Sequence, residues 1–263
     1  MSALAGGRLR LDHPADHVAR LTIDNQAKRN ALDRELLDAF AAALGEIECR
    51  CLLLTAAGSI FSAGYDIGAL EAGDEEEAEE LVAHPFEAAL AALDAFRFPV
   101  VAALNGHAIG GGLELALACD LRIASDGAKL GMPPARLGLV YSHTGLRRFV
   151  DAIGAPRTRE LFFTARNVTA DVALQWGLVN RVVAGEELAG AAVEWAAGIA
   201  ANAPLSLEGN KGAIRALLAA QGAVDPEVRR ELVALREACF RSEDFREGMR
   251  AFAEKRPPEW KGR

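Results

Sequence analysis

One carboxylate sits where a chain could set it beside a bound anion. Glu114 follows three consecutive glycines, Gly110, Gly111 and Gly112, within residues 105–120, NGHAIGGGLELALACD. Glycine lets backbone N–H groups approach a ligand without interference from Cβ. The apolar positions Leu113, Leu115, Ala116, Leu117 and Ala118 predict a helix opening at the glycines. The first turn of a helix leaves its N–H groups unpaired and carries about +0.5 of an elementary charge. The product is an anion hole made of backbone, with one carboxyl in the same turn. The stretch also reads as a glycine-softened packing joint between strand and helix. It is neither a dinucleotide fingerprint nor a phosphate loop, because G-x-G-x-x-G and G-K-[ST] are both absent.

Two strands must hold such a site. Pro99 introduces the apolar run Val100-Val101-Ala102-Ala103-Leu104, a predicted buried strand leading into the glycines. About fifty residues earlier, Cys51-Leu52-Leu53-Leu54-Thr55 predicts another, followed by a turn at Ala56-Ala57-Gly58 and by Phe61-Ser62-Ala63-Gly64-Tyr65-Asp66-Ile67. Two strand-then-glycine-loop units can each offer one backbone N–H to a single developing negative charge. FSAGYDI and NGHAIGGGLELA, in this order and at this spacing, resemble the two oxyanion-hole loops of the crotonase superfamily of acyl-CoA enzymes. The resemblance runs essentially end to end, from IDNQAKRNALD to FAEKRPPEW.

That resemblance implies an α/β fold, a ClpP-like spiral of ββα units with a C-terminal helical oligomerisation region. It implies an acyl-CoA substrate and a thioester enolate whose oxygen is held by the backbone N–H groups of Tyr65 and Gly111. It places backbone of Ala63, Asp66 and Ile67 at the adenine of coenzyme A and Lys28 at its phosphates. Lys255, with Phe252, would lie near the adenine bound by a neighbouring subunit. The implied assembly is a homotrimer or a dimer of trimers.

A departure from the family pattern bears on the reaction. Enoyl-CoA hydratases pair a glutamate in the glycine-rich turn with a second one in a later Q-P-E-like segment, since water must lose a proton and carbon must gain one. Glu114 fills the first position, but the second segment reads Gly131-Met132-Pro133-Pro134-Ala135-Arg136. Pro134 has no proton to give or take. The S-A-G-x-D loop with Tyr65, the M-x-P segment, Tyr141 in residues 137–141 (LGLVY) and the tail SEDFREGMRAFAEKR resemble the methylmalonyl-CoA decarboxylase branch. That branch has a histidine at the position of Tyr65. Decarboxylation forms the enolate without a strong base, and Tyr141 would hydrogen-bond the leaving carboxylate or hold it out of the thioester plane. The alternatives are an enoyl-CoA isomerase or hydratase working with Glu114 alone, and a non-catalytic RNA-binding or scaffold member of the fold.

The chain has 263 residues, 51% of them hydrophobic, enough for a substantial core. A net charge of −8 argues against nucleic acid or an anionic membrane as partner. No apolar run suggests a signal peptide or a membrane span, and Cys49, Cys51, Cys119 and Cys239 show no C-x-x-C spacing. The expectation is a cytoplasmic protein with reduced thiols, two of them in strands. No metal or redox cofactor is expected, coenzyme A being part of the substrate. Strand and helix alternate through the first two-thirds of the chain, and residues 1–185 are the expected acyl-CoA-binding spiral. Residues 186–263 read as helices only, the expected trimerisation region, and the acidic residues 71–80 as a solvated surface segment.

Overall fold

A computed structural model of the chain describes residues 2–66, 84–222 and 224–263. Ile67 and the acidic residues 71–80 lie outside them.

The buried runs of the sequence become a sheet with helices on both faces. Strands β1 (Ser2–Leu4), β2 (Leu9–Ala15), β3 (Val18–Ile23), β4 (Cys51–Ala56), β6 (Val100–Leu104), β8 (Leu121–Ser125) and β11 (Arg181–Val183) form it in that order. The first three pair antiparallel and the rest parallel. A second sheet, ordered β10-β9-β7-β5, uses β5 (Ile60–Ser62), β7 (His107–Ile109), β9 (Lys129–Gly131) and β10 (Val168–Thr169). Successive pairs β4/β5, β6/β7 and β8/β9 each place one strand in either sheet. Between them run α1 (Arg34–Glu46), ahead of β4, then α2 (Pro85–Ala95) and α3 (Gly111–Ala118). This is the spiral of ββα turns that the family resemblance implies.

Both faces of the parallel part are covered, so β4 and β6 are nearly continuous apolar runs rather than alternating ones. Leu52, Leu54, Val100, Ala102 and Leu104 join α1, α2 and α3 in the main core. Cys51, Leu53, Val101 and Ala103 point the other way, against Leu188, Ala192, Ala196 and Ala200 of helix α6 (Leu188–Ala200). The intervening chain holds α4 (His143–Thr164), which kinks at Gly154 ahead of Pro156, and α5 (Ala170–Trp176). After α6 come α7 (Pro204–Gln221), α8 (Pro226–Phe240) and α9 (Glu243–Glu254). The stretch beyond residue 185 is helical as the sequence indicates, yet α6 packs as part of the body. The helices standing off from the sheet begin at Pro204.

β2 runs through Pro14 to Ala15, and a register slip between Asp12 and Ala15 accommodates the proline. Asp33 lies outside the first helical turn and caps α1, accepting from Leu36 N–H at 2.9 Å. Of the cysteines only Cys51 is in a strand, and Cys119 is buried just past α3; all four are free thiols.

Candidate active site

Asparagine side chains shape the first glycine loop. The Asn30 amide donates to the carbonyls of Ala57 and Ile60 at 2.8 and 2.7 Å and accepts from Asn25 N–H at 2.8 Å. The Ser62 hydroxyl donates to Asn30 O at 2.8 Å and accepts from Gly64 N–H at 3.1 Å. Gly64 then turns through φ +90°, where a Cβ would lie 2.9 Å from Ile109 O and 3.2 Å from Gly111 N. The two glycine loops therefore touch, and only glycine fits between them.

The hole itself follows from hydrogen-bond direction. Leu32 bridges the Tyr65 segment in parallel, its N–H donating to Gly64 O at 2.8 Å and its carbonyl accepting from Asp66 N–H at 3.1 Å. A parallel bridge uses the groups flanking the central residue, so the Tyr65 N–H faces away from it. On the other side Gly110 N–H is held by Gly131 O at 2.9 Å, and α3 starts at Gly111 with its first N–H groups outside the helical ladder. Among the described residues, neither the Tyr65 nor the Gly111 N–H has a backbone acceptor. The far end of α3 is fixed by the buried Arg122 guanidinium, which donates to Cys119 O and Leu178 O, both at 2.7 Å.

The acid side is made of side chains. Glu114 is 2% exposed and accepts from the Tyr141 hydroxyl. Burial pushes its carboxyl up to about 7, against the opposing pull of Tyr141 and of Arg148. Arg148 is itself clamped by Asp94, at 3.0 and 2.5 Å. Tyr65 and Tyr141 line one small cavity, and burial first, then Glu114, holds both phenols well above their usual range. With Glu114 ionised, the single Tyr141 hydroxyl proton is donated to it. The Tyr65 ring packs edge-on against Phe86 at 4.9 Å, with Cζ 3.1 Å from where a Cβ on Gly111 would stand. Tyr65 thus borders both halves of the site, by its N–H and by its ring.

Other candidates are placed less closely. Lys28 is ion-paired with Asp66, which sets two of the coenzyme A candidates side by side, and Ala63 is exposed next to them with its N–H donated to Arg29 O at 3.1 Å. Lys255 ends α9, exposed, and its side chain has no hydrogen bond or ion pair among the described residues. Pro134 is buried and opens a short helical turn after β9. Glu114 and Glu247 are the buried carboxyls among the described residues. No group of three metal-ligating side chains occurs among them.

Three contributors escaped the sequence reading. Ser142 caps α4 by accepting from Gly145 N–H at 3.0 Å, a serine-before-helix signal that was available. A Cβ on Gly145 would stand 2.8 Å from Glu114 Oε1 and 2.6 Å from the Tyr141 ring, so this glycine makes room for the acid pair. Arg236, from α8, lines a small cavity of about 10 Å³ with Tyr65, Leu139, Val140, Tyr141 and Ser142. A larger cavity, about 330 Å³, lies on the α6 face of the sheet and shares no residue with this site.

Residues 14–263 match the enoyl-CoA hydratase/isomerase family model. The chain belongs to that family. It is 38% identical over 256 residues to the carnitinyl-CoA dehydratase of Proteus mirabilis, covering 94% of this chain and 95% of that one. It is 37% identical over 244 residues to the short-chain-enoyl-CoA hydratase of Clostridium acetobutylicum, covering 91% and 92%. Among solved structures it superposes on methylmalonyl-CoA decarboxylase complexed with 2S-carboxypropyl CoA at a TM-score of 0.90, with 30% identity and 100% of both chains covered. Members of this family are acyl-CoA enzymes. No helix among the described residues is long and apolar enough to cross a membrane.

Proposed function

We propose that this enzyme decarboxylates a methylmalonyl-CoA-like thioester. The observation that carries the reading is the acid side: one buried carboxyl, Glu114, is held by Tyr141, and Pro134 stands in the sequence where a second glutamate would be. The bond from Cα to the carboxylate breaks, carbon dioxide leaves, and the electron pair moves into the thioester carbonyl to form an enolate. The N–H groups of Tyr65 and Gly111 receive the enolate oxygen. Such donors are worth about 2.7–4 kcal/mol each to the transition state. Tyr141 orients the leaving carboxylate so that the breaking bond overlaps the carbonyl π system. Glu114, which is substantially protonated near neutrality, returns a proton to carbon. The reaction draws on no metal or redox cofactor. Lys28, Ala63, Asp66 and Ile67 would hold coenzyme A.

A second reading has its own support: a buried carboxyl near 7 suits repeated proton transfer, and the two curated relatives above are a hydratase and a dehydratase. In that reading Glu114 alone moves a proton as an isomerase or hydratase base. Glu114→Gln separates the two. A decarboxylase keeps much of its rate, within about tenfold of wild type, whereas an isomerase loses nearly all of it.

The proposal includes a cytoplasmic homotrimer or dimer of trimers. Leu205, Ile214, Leu217 and Leu218 on α7 and Leu235 on α8 are exposed in the single chain and are the surface such an assembly would cover. Lys255 would then act on coenzyme A in the neighbouring subunit.

A further inference from the structure

Arg236 comes from the helical region and takes no part in the chemistry described so far. Its place is set by its own helix face. Positions 236, 239 and 240 fall on one side of α8. Cys239 Sγ donates to Gly138 O at 2.8 Å and accepts from Val140 N–H at 3.2 Å, tying that side to the loop that carries Tyr141. Phe240 is buried, and the Arg236 guanidinium stacks over its ring, 5.4 Å from the centroid. The guanidinium is half-buried and has no hydrogen bond or ion pair among the described residues. By contrast Arg148, the other arginine in electrostatic reach of Glu114, is engaged by Asp94.

Glu114 is within electrostatic reach of Arg236, yet no carboxylate among the described residues contacts the guanidinium, which leaves its donors open to a ligand that brings one. The cavity Arg236 faces, bounded by Tyr65 and Tyr141, has the volume of about one water molecule. That space admits one oxygen atom of a carboxylate rather than an alkyl chain. We propose that Arg236 receives the free carboxylate of the acyl group and so selects thioesters of dicarboxylic acids over plain acyl thioesters. This deepens the decarboxylase reading and rests on it for the reaction, though not for the binding preference. The contact exists in the ground state and vanishes as the carboxylate becomes neutral carbon dioxide. Arg236 therefore serves affinity and specificity, not the rate of the bond-breaking step.

The test compares wild type, Arg236→Gln and Arg236→Lys with methylmalonyl-CoA and with propionyl-CoA, which lacks the carboxylate. Where wild type decarboxylates, Arg236→Gln should raise KM for methylmalonyl-CoA roughly 10- to 100-fold, the span of a lost charge-assisted hydrogen bond, without lowering kcat. Inhibition by propionyl-CoA should stay unchanged, and Arg236→Lys should recover part of the affinity. A KM within about threefold of wild type, or an equal loss of propionyl-CoA binding, would overturn the proposal. Where wild type does not decarboxylate, the reaction reading fails separately, and calorimetric dissociation constants decide this one. A wild-type preference for methylmalonyl-CoA that Arg236→Gln erases supports it; the lack of such a preference defeats it.

Discussion

Glu114 and Glu247 are both buried glutamates, and their surroundings drive them in opposite directions. Glu247, on α9, accepts from Arg250 and Arg256 and from the backbone N–H of Glu259. These partners, Arg256 first, hold it far below the usual carboxylate range. It stays ionised and ties the C-terminal tail to its helix. Glu114 has the Tyr141 hydroxyl as its partner and no arginine in contact, and burial lifts it to about 7. The difference separates a carboxylate that holds structure from one left able to exchange a proton at neutral pH.

The largest expected effect touches neither carboxyl and sets the scale for both. Gly111→Pro removes one oxyanion donor at the first helical position, where the backbone tolerates proline, and Gly111→Ala, which keeps the N–H but carries the same Cβ against the Tyr65 ring, is its control. Steady-state kinetics should register a loss of about 10²–10³-fold in kcat for any acyl-CoA substrate. A smaller loss would mean that the backbone half of the site is not where the enolate charge is met. Next comes Tyr141→Phe, which removes the hydroxyl from Glu114 and from the leaving carboxylate. Decarboxylation should fall roughly 10- to 100-fold with propionyl-CoA binding retained. Equal losses in both would reduce Tyr141 to a packing residue.

Glu114→Gln should change the decarboxylation rate by less than about tenfold and abolish any rate inflection near pH 7. Its stability signature has a definite sign. A folded-state value raised to about 7 means that the native protein holds the extra proton between about 4.5 and 7. Wild-type stability should therefore fall as pH rises through that window, and denaturant titrations of the variant should not show this fall. Glu247→Gln is the counterpart with the smallest catalytic effect, within about twofold. Here the lowered value works the other way. Wild type should lose stability as pH drops below about 4.5, and the variant, lacking the ion pairs at every pH, should lack that acid-side slope. An unchanged slope in either variant would break the contrast between the two glutamates.

How much of this was legible in the sequence differs between the halves of the site. The backbone half was written in local code: Gly64 and Gly110–Gly112, each just after an apolar strand, mark places where chain must turn tightly and expose N–H groups. The α/β layering followed from the alternation of strand and helix, and the spiral from the family resemblance. The acid half depends on contacts between residues 65, 114, 141, 145 and 236, which no local pattern encodes. The sequence named Tyr141 and Glu114 as candidates but not their hydrogen bond. Arg236 read as one charge on an amphipathic helix, because the loop it faces lies nearly a hundred residues away. The stretch 142–183 was left without elements: its strands have two or three residues, and Gly154 with Pro156 interrupts the periodicity of α4. The role of α6 was missed for another reason. A helix of small apolar residues looks the same whether it covers its own sheet or a neighbouring subunit.

The most direct test of the central claim is to incubate the protein separately with methylmalonyl-CoA and with crotonyl-CoA and to follow each thioester by mass. The account predicts loss of carbon dioxide from methylmalonyl-CoA and no gain of water on crotonyl-CoA. Hydration of crotonyl-CoA with methylmalonyl-CoA left intact would contradict it, and would mean that Glu114 performs both proton transfers without a second carboxylate.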